Sequence, residues 1–201
     1  SLEMTPENMR DRIYTMMGSG LFKASDFARG DVNIDQFDDW GSKKFANKNQ
    51  FILVSNEGMG EVTPNVIQGK IDQYKPDIVI LDYHQLFSDN QGSKSPTERN
   101  MNISKSFKKL AMTNNIPIID ITAATAEEVA DHDSPPMLNQ VAWSKAIEYD
   151  ADMAIAVHKN PDSNIMELVS RKNRHGTEFG MYLDWDLNRG IVKEVYDIPI
   201  G

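Results

Sequence analysis

The chain has 201 residues, of which 40% are hydrophobic and 25% charged, with a net charge of −9 and no cysteine. That size suits one α/β domain with a core of its own, and the missing cysteines exclude disulfides and thiolate zinc sites and match a reducing cytoplasm. The acidic balance argues against a broadly basic nucleic-acid-binding surface but leaves room for a small basic loop, and no apolar run approaches the ~20 residues that span a bilayer.

Ser1-Leu2-Glu3-Met4 reads as the end of a strand, so that a piece of the natural domain is expected upstream of Ser1. Thr5-Pro6-Glu7 then starts a helix, with a hydroxyl cap, a proline in the first turn and an early acid. Met9, Ile13 and Met16 or Met17 form its apolar face, and Gly18 is expected to stop it. Residues 19–50 read as two short helices with loops, burying Leu21, Phe22, Phe27, Ile34, Phe37, Trp40 and Phe45. Core packing is the expected use of these aromatics, ahead of a pocket for a nucleotide base. Phe51-Ile52-Leu53-Val54 reads as a strand. After Gly58 and Gly60, Thr63-Pro64 opens a helix that turns Val66, Ile67, Ile71 and Tyr74 inward.

Pro76 to Leu86 contains a short apolar run, Ile78 to Leu81, which reads as a strand buried on both faces, as in a parallel sheet. It ends in Asp82. Parallel sheets bind their ligands at the carboxyl ends of the strands, where a carboxylate can hold magnesium through water beside nucleotide phosphates. From this strand alone, a turn cap explains Asp82 equally well. A polar loop from Ser88 to Pro96 follows, then a helix opened by Thr97-Glu98 with Ile103, Phe107, Leu110 and Ala111 on one face. Ile116 to Ile121 is the next buried strand, and residues 122–138 form a second long loop. A helix at 139–149, a strand from Met153 to Val157, and strands at 165–171, 178–185 and 190–195 complete the chain. The alternation of helix and strand predicts a single α/β domain over 1–201. Its sheet is mostly parallel and twisted, with helices on both faces and an antiparallel carboxy-terminal edge.

A nucleotide-hydrolysing sheet carries a phosphate loop of the form G-x-x-x-x-G-K-[ST]. The sequence has none, since Gly69-Lys70 is followed by Ile71 inside a helix. Four segments are nevertheless informative in their order: Ser1-Leu2-Glu3-Met4, Leu-Asp-Tyr-His-Gln-Leu at 81–86, Ile147-Glu148-Tyr149-Asp150-Ala151-Asp152, and Arg171-Lys172-Asn173-Arg174-His175-Gly176. They resemble the Ser-Leu-Glu-Met, Asp-Tyr-Leu-Gln-Leu, Ile-Glu-Gln-Asp-Ala-Asp and Lys-Gln-Arg-Asn-Gly segments of DnaB-type replicative helicases. The resemblance covers nearly the whole chain. It implies the carboxy-terminal RecA-like motor domain of that family, a P-loop NTPase core, minus its first strand, phosphate loop and first helix. The low overall similarity is nearer to a phage-type member than to a bacterial housekeeping copy.

The resemblance implies roles for individual residues. Glu3 matches the catalytic glutamate that polarises the attacking water, and Asp82 matches the acid that holds Mg2+ through water. Gln85 falls with Asp82 on the nucleotide side. Lys172 and Arg174 match the pair that reaches a neighbouring subunit's ATP, where an arginine finger places positive charge on the transition state; a basic turn between edge strands is the plain alternative. Lys94 and Arg99 are the candidate contacts to single-stranded DNA. His84 stands where the family has leucine and is expected to pack or hydrogen-bond, while Asp150 and Asp152 are expected to brace a strand. The cofactors implied are ATP and Mg2+. The partners implied are single-stranded DNA, five further copies in a homo-hexamer, a primase and a helicase loader, in the cytoplasm of a bacterium or of a phage's host. The 201 residues alone are expected to bind ATP poorly and not to hydrolyse it.

Two departures favour another class, a non-catalytic RecA-like assembly or DNA-tethering module. The family's phosphate-sensing glutamine is matched by Ala123, which cannot hydrogen-bond through its side chain unless Thr122 substitutes. The loop after Ile121 carries Glu127, Glu128, Asp131 and Asp133, with no lysine or arginine between Lys109 and Lys145. A recombinase or clock-type ATPase is a third reading, disfavoured by Tyr83 to Leu86 and the run from Ile147 to Asp152.

Overall fold

The computed structural model describes residues 1–46, 51–55, 58, 60–123, 135–137, 144–159 and 163–196. The amino-terminal layer is three helices, α1 (Pro6–Gly18), α2 (Ala24–Arg29) and α3 (Ile34–Lys44). Thr5 caps α1 as its sequence predicts, its hydroxyl accepting from the Asn8 N–H at 3.3 Å. The stop differs from expectation. Gly18 stays in the last turn because a Cβ there would lie 2.8 Å from the Phe22 ring, and Ser19 makes the left-handed turn at φ 45°. Tyr14, Phe22, Phe27, Phe37, Trp40 and Phe45 pack with several rings edge to face, the geometry their quadrupoles favour. This is a packed cluster, although Leu21, Ile34 and Phe45 keep much of their surface in solvent rather than buried.

The parallel part comprises α4 (Pro64–Tyr74), β1 (Val79–Leu81), a 3₁₀ turn (His84–Leu86), α5 (Pro96–Asn114) and β2 (Ile118–Asp120). β1 and β2 pair in parallel, Ile80 beside Ile119 and Leu81 beside Asp120. α5 opens one residue earlier than its sequence suggests, with Ser95 accepting from the Glu98 N–H. Val62, Leu81, Phe87, Ile103 and Phe107 are the core, flanked by Val66, Ile67, Val79, Leu110 and Ile118. These side chains occupy one face of the strand pair. The opposite face is open: Ile80 is 52% and Ile119 48% exposed, with Ile78 and Ile121 alongside. The expectation of burial on both faces therefore fails for these strands, because α4 and α5 cover a single side. Tyr74 is also more exposed than expected, and residues 51–55 pair in no strand.

After α6 (Ser144–Asp150), the strands β3 (Met153–Lys159), β4 (Ile165–Asn173), β5 (Gly180–Asp186) and β6 (Ile191–Val195) form an antiparallel sheet in chain order. An α/β domain with a parallel part and an antiparallel carboxy-terminal part is thus what the sequence predicts, carried among the described residues as two sheets. Asp150 and Asp152 do brace them: Ser104 of α5 donates to Asp150 at 2.7 Å, and Lys108 of α5 to Asp152 at 2.5 Å. The β5–β6 turn docks on the helical layer through Gly20 N–H to Arg189 O and Ala24 N–H to Asn188 O. Among the described residues no helix is long and apolar enough to cross a membrane.

Candidate nucleotide-binding site

The two parallel strands stay joined beyond their last residues. Ile121 donates to the Leu81 carbonyl at 3.0 Å and His84 to the Ile121 carbonyl at 2.7 Å. Between them stands Asp82, half-buried at the carboxyl end of β1. Leu2 donates to its carbonyl at 2.7 Å, and the Ser1 hydroxyl to its carboxylate at 2.7 Å. Glu3 follows directly, exposed, with its N–H on the Ser1 hydroxyl at 3.4 Å. The fold therefore brings Glu3 and Asp82 to adjacent chain segments, with Ser1 between them.

Among the described residues no group of three His, Asp or Glu side chains could enclose a metal. Asp82 offers a single carboxylate, one oxygen of which takes the Ser1 hydroxyl. That donor set fits magnesium, which keeps most of its water and takes one or two carboxylates plus substrate phosphates.

Gln85 turns towards β2. Its amide nitrogen donates to the Thr122 hydroxyl at 2.9 Å and the Ala123 carbonyl at 3.3 Å, while its own carbonyl oxygen is buried without a donor. His84 is 1% exposed, with Nδ1 2.6 Å from an Asp120 oxygen and its ring edge-on to Phe107. This is the packing and hydrogen-bonding role expected of it. Asp120 was not singled out by sequence; its signal is a carboxylate ending an apolar strand beside one whose extension carries a histidine.

Lys172 and Arg174 lie on and just after β4, and both fold back onto the carboxyl end of α6. Lys172 Nζ donates to the Glu148 carbonyl, and Arg174 to the Tyr149 carbonyl and, at 3.3 Å, to the Asp152 carboxylate. They satisfy carbonyls that a helix end leaves open and complement its negative end. Burial, reinforced by the neighbouring Arg174, holds the Lys172 ammonium below its usual range. A hydrogen bond from Lys108 holds the Asp152 carboxyl low, against a smaller opposing effect of burial. Neither basic residue bonds to Glu3, Asp82 or Gln85 among the described residues.

The loop carrying Lys94 is built around Asp89, which is 4% exposed. Its carboxylate accepts from the Ser93 N–H at 2.9 Å, the Ser93 hydroxyl at 2.6 Å and the Asn102 amide at 2.8 Å. Burial pushes this carboxyl up, but the bonds from Ser93 and Asn102 outweigh it and bring it down to about 2. Arg99 is half-buried and donates to the Ser93 carbonyl at 3.3 Å, while Lys94 stays exposed. Arg99 thus helps hold the loop whose tip presents Lys94. Glu127, Glu128, Asp131 and Asp133 lie outside the described residues. The far root of their loop is held by Arg171, which donates to the Pro135 and Pro136 carbonyls at 2.7 and 3.1 Å.

An acidic strand end on a parallel pair, continued by an antiparallel sheet, defines a RecA-like ATPase domain. Residues 1–189 match the DnaB-like helicase C terminal domain family, and the chain belongs to that family. It is 26% identical over 191 residues to a probable plasmid replicative DNA helicase of Chlamydia trachomatis, covering 92% of this chain and 41% of that one. It is 27% identical over 193 residues to the replicative DNA helicase DnaB of Geobacillus stearothermophilus, covering 88% and 40%. The chain therefore spans about two fifths of the length of these relatives. In fold it is similar to a solved ATPase domain, with a TM-score of 0.80 at 23% identity over 98% of this chain and 73% of that one. A structure of a DnaB-like replicative helicase and its interactions with primase gives 0.79 at 23% identity, over 94% and 49%.

Proposed function

We propose that this domain is the motor of a replicative DNA helicase, coupling ATP hydrolysis to movement along single-stranded DNA in a homo-hexameric ring. The observation that carries this reading is the pairing of Asp82 with Glu3 across Ser1 at the carboxyl end of β1, in a chain of the DnaB-like family.

Phosphoryl transfer needs charge stabilisation and a positioned nucleophile more than covalent help. Asp82 holds the hydrated magnesium, which neutralises charge on the phosphates. Glu3 orients and polarises the attacking water. Lys172 and Arg174 leave the carbonyls of α6 to reach the nucleotide of the neighbouring subunit, adding positive charge there. Lys94, at the tip of the Asp89-centred loop, meets the phosphate backbone of the strand. The phosphate loop comes from residues outside these 201. The open face of Ile78, Ile80, Ile119 and Ile121 supports this, since contiguous apolar surface is normally covered in the working protein. A primase and a helicase loader are proposed partners, in a bacterial or phage-infected cytoplasm.

A second reading, an assembly or tethering module without turnover, is favoured by Ala123 and by the folded-back Arg174. The protein that contains this domain, assembled with ATP and Mg2+, is expected to displace the strand of a forked DNA duplex. Failure to do so while still forming rings would favour the tethering module.

A further inference from the structure

We propose that Thr122 donates a hydrogen bond to the terminal phosphate of a bound nucleoside triphosphate, with Gln85 as the residue that positions its hydroxyl. This rests on the ATPase reading and assigns a residue within the same site.

The hydrogen bonds settle which way each group points. Gln85 reaches two oxygens, the Ala123 carbonyl at 3.3 Å and the Thr122 hydroxyl at 2.9 Å. A carbonyl only accepts, so the end of Gln85 facing both partners is its NH₂. The Thr122 oxygen is therefore an acceptor in this pair, and its own hydrogen is left to donate elsewhere. Among the described residues nothing takes it. The other end of the Gln85 amide is a buried oxygen with no donor, a state that costs about 1–3 kcal/mol unless a polar group arrives. An unused donor and an unused acceptor thus lie side by side, marking polar space that the protein leaves open.

That space is at the strand ends. Thr122 follows Ile121, whose carbonyl takes the His84 N–H at 2.7 Å, and Asp120, whose carboxylate meets the His84 ring at 2.6 Å. These bonds clamp the extension of β2 to the extension of β1, so Thr122 is held beside the segment that begins at Asp82. Ile121 and Ala123, on either side, have no side-chain donor. At the end of β2 the Thr122 hydroxyl is the group able to distinguish a triphosphate from a diphosphate.

The test uses the full-length assembled protein with Mg2+ and compares a non-hydrolysable ATP analogue with ADP by fluorescent-nucleotide displacement. Thr122→Val keeps the shape and removes the donor. Its affinity for the triphosphate analogue is expected to fall about tenfold while that for ADP stays within about twofold. Thr122→Ser is expected to keep both affinities. Gln85→Leu, with Thr122 intact, is expected to lose triphosphate preference in the same direction. A purely structural role would weaken both nucleotides together, so unchanged preference in Thr122→Val overturns the inference. Wild-type protein that hydrolyses ATP while Thr122→Val is silent leaves the ATPase reading standing without it; wild-type protein that binds no nucleotide removes both.

Discussion

His84 Nδ1 lies 2.6 Å from Asp120 Oδ2, tying the extension of β1 to the last residue of β2. One partner is nearly inaccessible and the other mostly buried, so removing either leaves a buried polar group without its mate. Asp120→Ala and His84→Leu are each expected to cost about 1–3 kcal/mol in urea unfolding. Replacing both with apolar residues should recover much of that loss, since no orphan then remains. A double variant as unstable as the sum of the singles would show that the two do not act as a pair.

The loop beneath Lys94 depends on a carboxylate held at about 2. Because the folded value lies below the ordinary carboxylate range near pH 4, the contribution of Asp89 is complete above that range. It is lost as pH falls through about 2. Hydrogen exchange at the Ser93 amide should therefore stay slow from neutral pH to about 4, once intrinsic rates are corrected. Asp89→Ala should release that amide at neutral pH and weaken binding to single-stranded DNA. Unchanged protection in the variant would remove Asp89 from its place at the centre of the loop.

Gly190 sits in the turn between β5 and β6 at φ 62°, and a Cβ there would lie 2.4 Å from the Thr15 carbonyl oxygen of α1. Backbone cannot retreat as a flexible side chain can. Gly190→Ala is expected to lose about 2–4 kcal/mol from strain and overpacking together, read as a lower urea midpoint. An alanine variant of native stability would contradict this docking of the hairpin on the helical layer.

Arg174 has two roles to separate, capping α6 and completing a neighbour's site. Arg174→Ala and Asp82→Asn are each expected to abolish ATP hydrolysis when assembled alone. Mixing the two should restore some, because an Arg174→Ala subunit keeps its own Asp82 and can take Arg174 from its neighbour. The recovery is the readout that a helix cap would not produce. Rings that exchange subunits yet stay inactive would place Arg174 in the structural role alone.

Much of this was legible in the chain. Thr5 and Pro6, the strand ending at Asp82, and the antiparallel hairpins follow from local rules of capping, apolar runs and turn residues. The four ordered segments carried the family. What local rules missed depends on partners distant in sequence. Ile80 and Ile119 read as doubly buried because an apolar run does not reveal how many helices cover it. Asp89 read as one polar loop residue among several, since its bonds to Ser93 and Asn102 require α5 to be in place. Lys172 and Arg174 read as a finger or a solvated turn, whereas the carbonyls of Glu148 and Tyr149 come within reach only when β4 lies against α6. Gly18 looked like a stop because sequence does not show the Phe22 ring against it.

The central claim is that a nucleotide site organised around Asp82 drives work on DNA. Its most direct test is ATP hydrolysis by the full-length assembled protein, with and without single-stranded DNA, for the native chain and for Asp82→Asn. The native protein should hydrolyse ATP faster when DNA is added, and Asp82→Asn should lose at least about a hundredfold in rate while still assembling. Native protein indifferent to DNA, or an Asp82→Asn protein of undiminished rate, would contradict the account.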